Sequence, residues 1–365
     1  MRTVIKIGTS TLTNGTARLA PPLLVELARQ ISELCASGHQ VILVSSGAIA
    51  IGRERLSFPD LPKDIPAKQM LSAIGQPRLM AVYEHIFRLY GLVVAQVLLT
   101  RMDLASRGRY LNARNTLAAL IEQKVIPIVN ENDTVATDEI RVGDNDNLSA
   151  MVANLVDADW LILLTDQPGL YTADPRTNPD AQLVAEVNTR EIAPELWQAA
   201  GGSGQGLGTG GMVTKLQAAD LARRSGSCCV IAQGTEPNVL LRVTAGEKLG
   251  TRFPPTATSV ESRKRYILSA RLAPGQLTVD EGAAKALQRG GSLLPVGLIA
   301  IQGSFDRGDT VRVALENGTE IARGIVNYDS QDLAQIVRCP SDEIESILGY
   351  HFGDEVIHRS DLVLL

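Results

Sequence analysis

Six short, mostly apolar runs recur through the first two-thirds of the chain: Thr3–Ile7, Val41–Val44, Leu92–Leu99, Val125–Val129, Leu161–Leu164 and Cys228–Ala232. Between them lie stretches whose apolar residues fall at helical spacing, such as Leu24, Leu27, Ile31 and Leu34 within Leu23–Ala36. Strands of this kind offer water no polar face, so the sheet they build must be covered on both sides. The intervening helices supply that cover. The expected fold is therefore α/β, with a mainly parallel sheet sandwiched by helices. Further helices are predicted over Ala67–Tyr90, interrupted near Gly75-Gln76-Pro77, and over Asn112–Gln123, Asn147–Val156 and Leu216–Arg224.

At 365 residues the chain exceeds the usual size of one core, so a second domain is expected. The alternation ends near Arg252-Phe-Pro-Pro-Thr-Ala-Thr-Ser259, where two prolines precede a Ser/Thr run. After Pro274 short strands are predicted at Leu298–Ile301, Thr310–Ala314, Thr319–Tyr328 and Asp354–His358. Asn317-Gly318 marks a hairpin turn, because both residues tolerate positive φ. The boundaries that follow are a catalytic-type α/β domain over 1–258 and a small β-rich domain over 274–352.

Charge and cysteine usage narrow the function classes. The net charge is −5, and Pro274–Leu365 holds seven Lys and Arg against fourteen Asp and Glu, the wrong sign for gripping nucleic-acid phosphates. Cys35, Cys228, Cys229 and Cys339 form no Cys-x-x-Cys pair and no metal-ligand spacing. The apolar start is interrupted at Lys6 and Gly8, and no run approaches the length of a membrane span, so a cytoplasmic protein is expected.

The densest polar stretch follows the Val125–Val129 run. Asn130-Glu-Asn-Asp133 leads through Gly143-Asp-Asn-Asp-Asn147 into the segment Leu148, Val152, Leu155. Asn and Asp cap helices well, but one or two suffice. The surplus of carboxylates and carboxamides, at the end of a buried strand, marks a site for a polar small molecule or a metal phosphate. The alternative is a solvated, capped loop.

Other strand ends share this character. Lys6 sits between Ile5 and Ile7 with Gly8-Thr9-Ser10 behind it, poised over a phosphate unless the strand lies at a solvated edge. Ser45-Ser46-Gly47-Ala48 and Leu163-Leu164-Thr165-Asp166 place hydroxyls and amides at two more strand ends. Gly201–Gly211 holds seven glycines in eleven residues before Met212-Val213-Thr214-Lys215 opens a helix. Backbone amides there can approach a phosphate, and an anion would explain Lys215 in a first turn where the helix dipole opposes it. The alternative is a flexible linker. No Gly-Lys dipeptide exists, so a Walker A loop is excluded, and Gly206-Leu-Gly208-Thr-Gly-Gly211 lacks the strand and the acid of a dinucleotide fingerprint. No serine occupies a strand-to-helix nucleophile elbow.

Together these motifs resemble the amino acid kinase family. They are Val4-Ile-Lys-Ile-Gly-Thr-Ser10, Val44-Ser-Ser-Gly-Ala-Ile-Ala50, Asn130–Asp133, Val142–Ala150, Leu164-Thr-Asp-Gln-Pro-Gly-Leu-Tyr171 and Gly208–Lys215, with a C-terminal segment similar to a PUA domain. The resemblance implies the amino acid kinase fold followed by a PUA-like domain, and transfer of the ATP γ-phosphoryl group to the γ-carboxylate of L-glutamate, the first step of proline biosynthesis. The PUA-like part argues against the family members acting on N-acetylglutamate or aspartate. Carried over residue by residue, Lys6, Thr165, Asp166, Thr209, Gly210, Gly211, Met212, Val213, Thr214 and Lys215 would bind ATP. Ser46, Asp133 and Asn145 would bind glutamate, and Lys6, Asp146 and Lys215 would be catalytic, with Asp146 organising the two lysines. Mg²⁺ would arrive on ATP with no dedicated protein ligands. Proline as feedback inhibitor, a homo-oligomer, and hand-off of product to glutamate-5-semialdehyde dehydrogenase are further implications, while RNA and membrane partners are not expected.

Overall fold

The computed structural model describes the chain except residues 63, 137–144, 202–210, 259, 262, 263, 265, 266 and 269–271. The described residues form two compact units, Met1–Leu104 with Ala113–Ser259, and Ala105–Asn112 with Val260–Leu365.

The first unit is built on a seven-stranded sheet of β1 (Arg2–Ile7), β2 (Gln40–Ser45), β3 (Val94–Leu99), β4 (Ile126–Glu131), β5 (Trp160–Thr165), β6 (Cys228–Gln233) and β7 (Thr251–Phe253), in the order β3-β4-β2-β1-β5-β6-β7. All neighbours run parallel except β6 and β7. One face buries Ile5, Ile7, Leu43, Ile128, Ile162 and Val230 against helices Pro21–Ala36 (α1) and Ile65–Arg88 (α3). Helices Asn145–Leu155 (α4) and Met212–Arg224 (α5) lie against β1, β5 and β6. Two covered faces are the physical reason that these strands carry almost no polar alternation.

Three boundaries differ from the sequence expectation. β4 continues two residues past Val129, so Asn130 and Glu131 are strand residues, both buried. The helix predicted from Asn112 begins at Arg107, and its early residue Leu111 packs with Ile267, Ile325 and Val363 of the second unit. The break expected at Gly75-Gln76-Pro77 does not occur, because α3 is one continuous helix with Pro77 inside it. A proline deletes only one helical hydrogen bond, and packing compensates here. Helix Ala48–Arg55 (α2) crosses α3 so closely that a Cβ on Gly75 would stand 1.8 Å from the Ala48 oxygen, and one on Gly52 would stand 1.9 Å from the Leu71 oxygen. These glycines are points of backbone contact rather than helix breaks.

The second unit carries a five-stranded sheet: Gln276–Val279 (β8), Leu298–Gln302 (β9), Thr310–Leu315 (β10), Glu320–Ile325 (β11) and Leu362–Leu364 (β12), ordered β12-β11-β10-β8-β9. The Asn317-Gly318 turn joins β10 to β11, with only Gly318 in the positive-φ region. Asp354–His358 is not a strand, and β11 ends at Ile325, short of Tyr328. Val326, Tyr328, Val356 and Ile357 are nonetheless fully buried, and Ile357 keeps a single antiparallel bridge to Leu293 instead of a full ladder. Two helices capped by Asp280 and Asp329 enter where only strands were expected. Among the described residues, no helix is long and apolar enough to cross a membrane.

Candidate active site

β1 lies at the centre of the sheet, between β2 and β5, where the strand order reverses direction. Such switch points open a crevice at the carboxyl ends of the strands. Lys6 stands at that end of β1, 5% exposed, which rules out the solvated edge lysine. Its Nζ lies 2.5 Å from Asp146 Oδ1. Lys215 Nζ lies 3.1 Å from Asp146 Oδ2, and the Thr214 hydroxyl donates to the same oxygen at 2.7 Å. Asp146 occupies the first turn of α4, where helix polarity favours a carboxylate, and Lys215 the first turn of α5, where it disfavours an ammonium group. The pairing with Asp146 offsets the second placement. Burial pushes the Asp146 carboxyl up, but the charges of Lys6 and Lys215 and the bonds from Lys6 and Thr214 outweigh it and hold the group down at about 2. Asp146 is thus ionised at neutral pH and fixes both ammonium groups.

One residue earlier, Asn145 belongs to a neutral network. Its Nδ2 donates toward the Ser45 carbonyl at 3.0 Å, Ser46 Oγ at 3.0 Å and Asn130 Oδ1 at 2.9 Å. The Ser45 carbonyl can only accept, so the amide nitrogen must face it. Asn130 Oδ1 also accepts from the Glu131 amide at 2.9 Å, and its Nδ2 donates to Gln76 Oε1 at 2.7 Å. Asn145 Oδ1 is left buried and without a hydrogen-bond partner. Asn145, Asn130, Ser46 and Asp133 line a cavity of about 600 Å³ that Arg53 and Phe58 also border. Asp133 accepts from the Ser72 hydroxyl at 2.6 Å, and burial raises its pKa against that bond. A polar cavity thus abuts a pair of clamped ammonium groups, an arrangement suited to a small polar acceptor beside an anion.

The amino acid kinase family profile matches residues 1–233, and a PUA domain profile matches residues 275–348. The chain belongs to the amino acid kinase family. It is 55% identical over 363 residues to a glutamate 5-kinase of Photobacterium profundum, covering 99% of this chain and 96% of that protein. Glutamate 5-kinases of Herpetosiphon aurantiacus and Deinococcus radiodurans are each 53% identical, covering 100% of this chain and 98% and 100% of theirs.

In the structure of this kinase, seven of the fourteen site residues that the sequence singled out meet in two groups. Lys6, Asp146, Thr214 and Lys215 form the charged cluster, and Ser46, Asp133 and Asn145 line the adjoining cavity. Thr165 ends β5, its hydroxyl donating to Asp166 Oδ1 at 3.0 Å. Gly211, Met212 and Val213 begin α5, while Thr209 and Gly210 lie outside the described residues. Three buried supports went unpredicted: Ser72 and Gln76, bonded to Asp133 and Asn130, and Tyr83, whose hydroxyl lies 2.8 Å from Ser45 Oγ. All three come from α3, where polar residues read as an ordinary amphipathic surface. Among the described residues no cluster of three His, Cys, Asp or Glu could hold a metal ion. Both Asp146 oxygens already meet ammonium groups.

Proposed function

We infer that this amino acid kinase transfers the γ-phosphoryl group of ATP to the γ-carboxylate of L-glutamate, producing L-glutamyl 5-phosphate for proline biosynthesis. The observation that carries the reading is the junction at Asn145-Asp146, where the charged cluster meets the cavity lined by Ser46, Asp133 and Asn145, in a chain 53–55% identical along its length to glutamate 5-kinases.

The chemistry needs little beyond placement. A carboxylate is ionised at neutral pH, so its oxygen attacks phosphorus without a general base, the bond to the ADP oxygen breaks, and ADP leaves with that electron pair. Negative charge spreads over the transferring group, and Lys6 and Lys215 are placed to meet it. Asp146 acts by holding both ammonium groups in fixed, buried geometry. Thr165, Asp166 and the start of α5 supply the nucleotide side, and Mg²⁺ carried on ATP would supply charge neutralisation there. On the other side Asp133 pairs with the glutamate ammonium, while Ser46 and Asn145, which line the same cavity, offer hydrogen bonds. An acyl phosphate hydrolyses readily, which favours direct hand-off to the reductive dehydrogenase that consumes it.

Acyl phosphates react with hydroxylamine to give hydroxamates that can be measured by colour. With ATP and Mg²⁺, L-glutamate should yield the hydroxamate, and N-acetyl-L-glutamate, lacking the ammonium, and L-aspartate, one methylene shorter, should yield little. Equal product from either would overturn the reading.

A further inference from the structure

We propose that α3 is the positioning element of the amino-acid subsite, and that Gln76 is a positioning residue for glutamate although it does not line the cavity. This rests on the assignment of glutamate to that cavity. The helix presents Gln69, Ser72, Gln76 and Tyr83, separated by three, four and seven residues, and such spacing keeps side chains on one stripe. Each bonds to a segment that carries the site. Gln69 Nε2 donates to the Ala136 carbonyl at 3.2 Å, Ser72 to Asp133 at 2.6 Å, and Gln76 Oε1 accepts from Asn130 at 2.7 Å. As the helix advances from 69 to 76, its partners retreat from 136 through 133 to 130, so helix and strand end are laced in opposite directions. Tyr83 continues the stripe to β2. The Ser45 hydroxyl donates to the Ser46 carbonyl at 3.1 Å, so its contact with Tyr83 takes its proton from the phenol.

Gln76 is the member whose role is most exposed to test. It is buried, yet its Nε2 has no hydrogen-bond partner. An unpaired buried amide is costly, and packing alone would be met better by methionine or leucine. The useful atom is Oε1, which holds Asn130 Nδ2 and so aims Asn130 Oδ1 at Asn145 Nδ2. That contact, with the Ser45 carbonyl, fixes the orientation of the Asn145 side chain where it lines the cavity. None of these bonds reaches Lys6, Asp146 or Lys215, so the stripe should govern glutamate affinity and leave ATP alone.

The test uses the purified full chain, with KM for glutamate and for ATP measured separately for the wild type, Gln76→Met and Gln76→Glu. Gln76→Met keeps the volume and removes the acceptor, and Gln76→Glu keeps an oxygen facing Asn130. The expected result is a rise of about tenfold in glutamate KM for Gln76→Met, the ATP KM unchanged, and near-wild-type values for Gln76→Glu. An unmoved glutamate KM in Gln76→Met overturns the proposal, as does a parallel rise in both KM values or a defect that Gln76→Glu fails to restore. Should Gln76→Met not fold, Ser72→Ala carries the same test, since it removes one hydroxyl that holds Asp133. Its glutamate KM should rise several-fold at constant ATP KM, and no rise overturns the proposal. A wild-type protein that forms no hydroxamate from glutamate would instead overturn the substrate assignment itself.

Discussion

The charged and neutral halves of the site stand one residue apart in the chain and are built on opposite physical terms. Around Asp146, two ammonium groups and a hydroxyl converge on one carboxylate, all buried, so every member depends on the others. Removing one partner of such a set strands the rest in a poor solvent for charge. Around Asn145, three carboxamides and backbone groups of fixed polarity pass hydrogen bonds along a chain, and each link is individually modest. The comparison teaches how one short segment can be fixed in two ways. The half at Asp146 is rigid through ion pairing, and the half at Asn145 is rigid through directionality.

The largest effect should come from the charged half. Lys215→Ala is expected to reduce kcat by about a thousandfold, with glutamate KM altered by less than about threefold, since it removes an interaction that strengthens as charge develops. Steady-state release of ADP measures both values. A near-normal kcat would return Gly201–Gly211 and the α5 start to a structural role.

Gly75→Ala should act on the other half through its scaffold. Its Cβ would collide with the Ala48 backbone oxygen, separating α2 from α3 at a cost of about 3 kcal/mol in unfolding free energy. Urea titration reads the stability, and glutamate KM should rise more than ATP KM. An equal change in both would show that α3 supports the whole site.

Asp133→Asn is expected to raise glutamate KM about tenfold, through loss of a charge-assisted bond to the ammonium group. The pH dependence gives the sign. Burial lifts the Asp133 pKa against the bond from Ser72, so its charge is lost, as pH falls, sooner than for an ordinary carboxylate. Wild-type affinity for glutamate should therefore weaken on acidification, and Asp133→Asn should show a flatter profile, measurable by calorimetric titration between neutral and mildly acid pH. Tyr83→Phe, which removes only the phenol bond to Ser45, should raise glutamate KM about threefold and leave kcat intact.

Much of this arrangement was legible in the residues. Continuous apolar runs announce strands covered on both faces, and Lys6 inside such a run had to reach a strand end or a partner. It does both. The first-turn placement of Lys215, opposed by the helix dipole, suggests a bound phosphate, and the negative group the structure supplies is Asp146. What stayed illegible depends on packing. Gly75-Gln76-Pro77 carries every local mark of a helix break, and only the backbone contact with α2 explains why the helix passes through. Ser72, Gln76 and Tyr83 have no motif, because a polar residue on an amphipathic helix looks alike whether water or Asn130 lies opposite. Asn130 and Glu131 read as loop because their side chains are polar, although the β4 backbone still pairs with Leu98 and Leu99 of β3. In the second unit, the strand expected at Asp354–His358 is reduced to buried Val356 and Ile357 with one bridge to Leu293.

The division between the two halves is tested most directly by measuring kcat and both KM values for Asn145→Ala and Asp146→Ala side by side. Asn145→Ala removes a cavity-lining carboxamide whose binding role is common to ground and transition states, so glutamate KM should rise about tenfold while kcat stays within about threefold of the wild type. Asp146→Ala releases Lys6 and Lys215 from their fixed positions, so kcat should fall at least about a hundredfold while glutamate KM changes little. The reverse pattern, with Asn145→Ala losing turnover and Asp146→Ala losing glutamate affinity, would contradict the account.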